Sequence, residues 1–440
     1  MNRYYWSKYN VIFNNKEKKL LYNSLSNALW EIDDAVHEDI KNLQKTIERG
    51  EYNGEHKIHS RLVEASIITE DTQEDTINKL KLKSLLDRTF KDVQSLSILP
   101  TLDCNFNCVY CYESERPSIY MTDETEKKLI NYIISEKSRR FLSIDWLGGE
   151  PLLAYDRIVS ITQKLKDNNI QFESSLITNG YLLTKEVADE LSDLKITMIQ
   201  ITIDGIGEKH NKRRPHIKTK RSYETIIENI KYLYDNYKDV IGIQLRVNVD
   251  KTNQDDFFYI CTELSEMFPG IEIYPGIVTE TNACTSINSC IFSKEDLISF
   301  LRETKEKHGL KAMSFFPDMG GQRCMAENLF CYVIGPEGEL YKCWNDVGIK
   351  ERQVGFLNDT GVKISNYKCI TRYAIANDPL ENPDCLDCQI LPQCMGGGCP
   401  YKRNQKKYEN INIDYCSYFK NNLEEFISKH YEDKVSTVEE

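Results

Sequence analysis

Ser97-Ile-Leu-Pro-Thr-Leu-Asp-Cys104-Asn-Phe-Asn-Cys108-Val-Tyr-Cys111 decides how the rest of the chain is read. The apolar run 97–102 predicts a buried strand. A tight loop follows at once, with three cysteines spaced Cys-x3-Cys-x2-Cys. Three thiolates so placed can each hold one iron of a cubane [4Fe–4S] cluster. No fourth cysteine lies nearby. One iron would then keep an open position for a small molecule, much as an open position marks a catalytic zinc. A three-cysteine zinc site with a distant fourth ligand is the competing reading.

Downstream of this loop, short β-rich runs recur at 142–147, 170–178, 196–204, 241–249 and 271–278. Amphipathic stretches lie between them. One begins at Ser222 and puts Ile226, Ile230 and Leu233 on one helical face. Repeated strand–helix alternation predicts an α/β fold, a parallel sheet with covering helices. Six such units are too few for an eight-fold barrel, so an open, partial (β/α)6 TIM-type barrel is expected.

Ligands of such sheets gather at the carboxyl ends of the strands. Gly148-Gly149-Glu150-Pro151 follows the second predicted strand. Its glycines let backbone approach a ligand closely, and Glu150 supplies charge for an ammonium group. Thr178 and Asn179 end the third strand, Asp204 the fourth, and Arg246 and Asn248 lie on the fifth. These residues are expected to face ligand, with turn chemistry as the alternative. His210, just after Asp204, reads as a surface residue.

The chain holds fifteen cysteines, eight of them, Cys369 aside, from Cys324 to Cys416. They run Cys324, Cys331, Cys343, Cys385-x2-Cys388-x5-Cys394-x4-Cys399 and Cys416. In a chain with no apolar signal segment this pattern means metal ligation rather than disulfides. Eight thiols are enough for two four-ligand clusters, and a pair of zinc sites is the competing reading. Cys261 and Cys369 are expected to be buried free thiols. Cys284 and Cys290 sit in a polar loop.

Residues 1–90 differ in texture. Tyr9, Val11 and Phe13 alternate, Leu20 and Tyr22 alternate again, and a polar turn over 14–19 joins them into a hairpin. Asp33 or Asp34 caps a helix to about Arg49. A second short helix surrounds 62–68, and 79–92 reads as a link. The expected organisation is therefore 1–90, 91–313, 314–425 and a tail over 426–440, frayed from Val435. No apolar run reaches the length of a membrane span, and a cytoplasmic location is expected. The net charge of −12 disfavours a nucleic-acid partner, because phosphate binding needs a basic surface.

The Cys-x3-Cys-x2-Cys loop and the Gly-Gly-Glu-Pro turn together resemble the signature of the radical S-adenosylmethionine (SAM) superfamily. The resemblance implies that the open iron chelates the amino and carboxylate groups of SAM. It implies that Gly148, Gly149, Glu150 and Pro151 hold the SAM amino group and that Tyr110 flanks cluster and adenine. One electron then cleaves SAM to methionine and a 5′-deoxyadenosyl radical, which takes a hydrogen atom from the substrate. The run from Cys385 to Pro400 resembles the SPASM extension of peptide and protein maturases. By that resemblance Cys324, Cys331, Cys343 and Cys399 take one auxiliary cluster, and Cys385, Cys388, Cys394 and Cys416 the other, making three [4Fe–4S] clusters. The gap before Cys399 is four residues where the family has three.

Residues 1–90 resemble the winged-helix-like peptide-recognition (RRE, PqqD-like) module, whose hairpin edge takes up a leader peptide as another strand. A structural cap is the alternative. The whole is similar to a radical SAM/SPASM maturase of a ribosomally made peptide (RiPP). Its implied partners are a precursor peptide and an electron donor such as flavodoxin or ferredoxin. Its implied product is a thioether from a cysteine sulfur to a carbon, with a carbon–carbon link as the alternative. Another enzyme reading is an anaerobic sulfatase-maturing enzyme, where an Asp base follows the third ligand of the Cys-rich region. Here Trp344 follows Cys343, and Asp346 is the candidate base. A non-enzymatic metal scaffold would need neither the Gly-Gly-Glu-Pro turn nor the strand–helix repeat.

Overall fold

The computed structural model describes residues 3–111, 117–279, 291–309, 314–317 and 323–439. Its contacts gather into two compact units. One comprises Met1–Thr89, Ser314–Asn328 and Tyr373–Glu440, the other Phe90–Met313 and Leu329–Arg372. Cys284 and Cys290 lie outside the described residues.

The first unit opens with β1 (Tyr5–Trp6), β2 (Asn10–Asn15), β3 (Lys18–Asn23), β4 (Ala28–Ile32) and, later, β5 (Ile68–Thr69). The predicted hairpin is β2–β3, antiparallel with Asn15 opposite Lys18, and β4 adds a third strand. Asp33 accepts from the Val36 N–H at 2.7 Å and starts the helix Asp34–Glu48, which buries Ile40, Leu43 and Ile47. That stripe is the amphipathic face that drives helix docking.

The second helix is shorter than expected, His59–Glu64, because Ile68 pairs with Trp6 as a strand. The expected link at 79–92 is mostly helix, Gln73–Thr89. Its buried face is Thr76, Leu80, Ser84 and Arg88, a spacing of four in which three members are polar, so no apolar period marks it. Leu80 packs with Tyr9, Leu380 and Leu391, so the N-terminal segment and the Cys-rich C-terminus share a core. The chain end, read as frayed, belongs to the helix Leu423–Glu439. Its Ile427 packs on Val11, Phe13, Leu20 and Tyr22.

The second unit holds β6 (Val93–Ile98), β7 (Phe141–Trp146), β8 (Phe172–Thr178), β9 (Ile196–Thr202), β10 (Gly242–Val249) and β11 (Glu272–Ile277). Five of the six match their expected ranges to within two residues, while the first, expected at 97–102, lies four residues earlier as β6, and residues 99–102 already lead into the cysteine loop. The six strands pair in parallel, each with the next in the chain. Alternate residues such as Leu142, Ile144 and Trp146 are buried, and helices such as Tyr223–Tyr237 cover the sheet with Ile226, Ile230 and Leu233 inward.

The sheet does not stop at β6. β12 (Tyr332–Ile334) adds in parallel, and β13 (Glu339–Tyr341), β14 (Gly355–Asn358) and β15 (Gly361–Ile364) follow antiparallel, making ten strands among the described residues. These last strands are three or four residues long, too short for period alone to reveal. Among the described residues no helix is long and apolar enough to cross a membrane.

Candidate active site

The Cys104–Cys111 loop leaves the carboxyl end of β6 and is clamped from both sides. The Asn107 and Val109 N–H groups donate to Pro215 and Arg213 carbonyls at 2.9 and 3.1 Å, and the Ile217 N–H donates to Asn105 C=O at 2.8 Å. Phe106 is fully buried beneath it. On the other side Gly148-Gly149-Glu150 follows β7 and bonds to the approach of the loop, with the Glu150 N–H donating to Asp103 C=O at 2.8 Å.

The two glycines are a packing requirement. A Cβ at Gly148, whose φ is +143°, would lie 2.3 Å from Thr101 O, and one at Gly149 2.2 Å from Asp103 O. Nothing larger than hydrogen fits there.

Cys104, Cys108, Cys111, Tyr110, Gly148 and Gly149 line one cavity of ≈390 Å³. Thr178, Asn179, Arg214, Arg246, Asn248 and the Ile277–Thr279 stretch complete much of its wall, together with Trp344 and Asn345. The sequence-predicted residues Thr178, Asn179 and Arg246 are thus brought together.

Glu150 and Asp204 are not on that wall but behind it. Glu150 is fully buried. It accepts from the Thr178 hydroxyl at 2.7 Å, the Asn179 N–H at 2.8 Å and the Leu152 N–H at 3.1 Å. Burial nevertheless raises its pKa, against those three donors. Pro151 starts the short turn that Glu150 caps. Glu150 therefore ties the turn after β7 to the end of β8.

Asp204 makes a similar tie at the end of β9. It accepts from the Asn248 N–H at 2.8 Å and from the Tyr110 hydroxyl. That hydroxyl also accepts from Arg214 at 2.6 Å and from Asn248 at 2.8 Å. Burial pushes the Tyr110 phenol well above its ordinary range, so it stays a donor to Asp204. Arg246 is steadied through Asn248 at 2.9 Å.

His210 corrects its surface reading, being fully buried. The Asp204 N–H donates to its Nδ1 at 3.2 Å, and burial with Arg214 and Arg213 nearby keeps it neutral. Trp344 and Asn345 were not placed at the site from sequence. The clue available was the position of Trp344 and Asn345 directly after Cys343.

Residues 98–260 match the Radical SAM superfamily. The chain carries a radical SAM domain. Over 91% of its length it is 24% identical to radical SAM cyclopropyl synthase TigE of Paramaledivibacter caminithermalis, covering 84% of that protein. It is also 24% identical to the cysteine-type anaerobic sulfatase-maturating enzyme of Clostridium novyi, over 77% of this chain and 96% of the relative. Among solved structures it shares the fold of Streptococcus suis SuiB bound to precursor peptide SuiA, with a TM-score of 0.51 and 15% identity. That likeness covers 92% of this chain and 97% of SuiB.

The residues of the radical SAM domain fit its cofactors. The Cys104, Cys108 and Cys111 side chains share one cavity with guanidiniums and backbone positions stripped of side chains, a donor set for an iron–sulfur cluster and a zwitterionic ligand. Asp346, by contrast, is fully buried, pairs with Arg352 at 3.1 Å and does not line the cavity. The Trp344–Asp346 turn brings its first two residues to the wall and leaves Asp346 off it.

In the first unit Cys385, Cys388, Cys394 and Cys416 line one small cavity. The Gly397 N–H donates to Cys394 Sγ at 3.1 Å and Lys420 Nζ stands 3.7 Å from Cys416 Sγ. Burial first, then the other three thiols, pushes Cys385 up to about 11. Among the described residues no three His, Cys, Asp or Glu side chains close on a point as one bound metal ion requires. A cubane holds its thiolates around an eight-atom core, so a ring of thiols about a cavity is the matching geometry.

The additional glycine before Cys399 has a structural reading. Met395, Gly396, Gly397 and Gly398 all have positive φ, from 43° to 92°, and a Cβ on Gly397 would lie 1.9 Å from Tyr415 O. Cys324 is exposed and Cys399 half-buried in this unit. Cys331 is buried and Cys343 half-buried in the other. Cys261 and Cys369 are buried, as expected.

Proposed function

We propose that the enzyme modifies a ribosomally made peptide: a peptide carbon gives a hydrogen atom to the 5′-deoxyadenosyl radical, a substrate cysteine thiol loses its proton, its sulfur joins that carbon, and the surplus electron would pass to an auxiliary cluster. The observation that carries the maturase reading is the composition of the cavity wall. Trp344 and Asn345, directly after Cys343, stand on the same wall as the three cysteines of the first loop. The Cys-rich segment thus contributes to the reaction chamber. The likeness to TigE and to the sulfatase-maturating enzyme, together with the fold shared with SuiB, supports the same reading.

When bound, SAM and its cluster supply the hydrogen-abstracting radical. The chain's own residues position and shield. Gly148 and Gly149 let the turn seat against Thr101 and Asp103, which would bring its backbone to the SAM amino group, and Arg214 and Arg246 would present charge to the SAM carboxylate. Tyr110 would flank the cluster with its ring, its hydroxyl being held by Asp204, Arg214 and Asn248. Ile277 and Val278 exclude water from one side. Trp344, 43% exposed, meets solvent and cavity together, where a peptide enters. Cys385, Cys388, Cys394 and Cys416 would hold one auxiliary cluster, and Cys324, Cys331, Cys343 and Cys399 the other. β4 is an outer strand of its sheet and would take the leader peptide as a further strand. The boundaries 1–90, 91–313 and 314–425 then mark handle, core and auxiliary region by function.

Mass spectrometry of the treated peptide, with and without thiol alkylation, tests this. A thioether removes two hydrogens, roughly 2 Da, and one alkylatable thiol per link. The same mass loss with every thiol still free would establish a carbon–carbon link instead, the second reading, which the likeness to a cyclopropyl synthase favours. Formylglycine formation finds less support here, since Asp346 is withdrawn from the cavity.

A further inference from the structure

Deep in the first unit three guanidiniums meet two carboxylates. Glu327 accepts from Arg403 at 2.5 Å and from Arg323 at 3.3 Å, with Arg88 3.8 Å away. Arg88 donates to Asp378 at 2.7 Å. Side-chain exposure is 8% for Arg88 and Arg323, 3% for Arg403, 5% for Glu327 and 17% for Asp378. Asp87 stands 4.0 Å from Arg323 but is 39% exposed, and water screens it.

Three buried positive charges less two negative leave one in excess. A buried charge is costly unless something answers it. Moreover Arg88 Nε, Arg323 Nη2 and Arg403 Nε are buried with no acceptor among the described residues. The cluster of ions is built for an anion that side chains do not supply.

Thiols surround it. Cys324 caps the turn that ends at Glu327. The Cys399 carbonyl accepts the Arg403 N–H at 3.2 Å, one helical turn before it. Arg403 Nη1 donates to Gly396 C=O at 2.9 Å, inside the loop from Cys394 to Cys399. Cys324 and Cys385 both lie within the electrostatic reach of Arg403. A cubane held by four thiolates is an anion, and one-electron reduction adds a further negative charge without a proton.

We propose that Arg403, backed by Arg88 and Arg323, is the counter-charge of the auxiliary clusters and raises their reduction potential. The inference rests on the reading that these thiols hold iron–sulfur clusters. A fixed positive charge in a low-dielectric interior stabilises the reduced form over the oxidised one. Arg403 is therefore a positioning and tuning residue rather than a catalytic one.

The test uses the full chain with Cys104, Cys108 and Cys111 replaced by Ala, so that only the auxiliary clusters report. It is reconstituted anaerobically and titrated against dithionite, one electron per cluster, with electron paramagnetic resonance as readout. Arg403→Met should shift the midpoint to lower potential, and Arg403→Lys, which keeps the charge, should stay near the parent. Asp378→Asn, which still caps Leu380 and removes a negative charge beside Arg88, should shift it upward. If Arg403→Met fails to load iron, the Asp378→Asn midpoint decides the matter. Loaded variants with midpoints equal to the parent's would overturn the inference. A parent that binds no iron at all would instead sink the cluster assignment beneath it.

Discussion

Replacing Gly149 by Ala tests whether the tight seat between the Gly-Gly turn and the cysteine loop is what makes the site. The added Cβ would meet Asp103 O at 2.2 Å, about 1 Å closer than a carbon and an oxygen approach without bonding. Both partners are backbone, so no side-chain rotation relieves the clash. Asp103 immediately precedes Cys104, and the same carbonyl accepts the Glu150 N–H at 2.8 Å. The strain therefore moves the first cluster ligand or breaks that bond. Overpacking of this kind costs about 1–3 kcal/mol of stability, and a 1 Å misplacement at a reacting centre costs roughly 10²-fold in rate. The expected result is 5′-deoxyadenosine formation from SAM about two orders of magnitude slower, with iron at the C-terminal cysteines unchanged. Gly309→Ala is the control, because φ there is +63° and a Cβ meets nothing within 4 Å. It should cost about 1 kcal/mol and leave SAM cleavage intact. Gly149→Ala with parental SAM affinity and parental cleavage rate would refute the argument.

Three further outcomes follow from particular residues. The reconstituted enzyme should hold roughly twelve irons per chain, and Ala at Cys104, Cys108 and Cys111 should remove about a third of them together with all SAM cleavage, as iron assay and chromatography will show. Thr178→Val takes one donor from buried Glu150, whose folded pKa already lies above its ordinary value of 4.5. The folded chain thus binds more protons than the unfolded one above that pH, and stability falls as pH rises. The variant should be less stable by about 1.5–3 kcal/mol near pH 8, with the deficit shrinking towards pH 4.5, and a pH-independent deficit in denaturant midpoints would count against an ionised Glu150. Deleting residues 1–90 should strip iron from the Cys385 set as well as weaken peptide binding, because Leu380 and Leu391 lose Tyr9 and Leu80 from their shared core. A truncated chain with full iron content would show that the core is dispensable.

Whatever rests on local spacing was legible in the chain alone. Cys104, Cys108 and Cys111 had to sit on one loop, five of the six β-rich runs fell on strands to within two residues, and the helical intervals made the sheet parallel. Asp33 was legible as a helix cap, and Gly148 and Gly149 as a close approach, expected toward a ligand where the structure packs them on Thr101 and Asp103. What lay beyond reach came from residues far apart in the chain. The helix Gln73–Thr89 buries Arg88 and Ser84, so its inward face carries no apolar period, and only partners at Asp378 and Glu327 make that burial tolerable. His210 looked like surface because nothing local buries an imidazole; the packing around Asp204 does. Glu150 and Asp204 were expected to meet ligand directly, and the fold instead uses their carboxylates to tie strand ends together behind the cavity wall. Trp344 and Asn345 reach that wall only because β12 adds to β6 and carries the segment after it to the cofactor side. Periodicity records which face of an element is apolar. It does not record which distant backbone, charge or thiol that face will meet, and the site is assembled from those meetings.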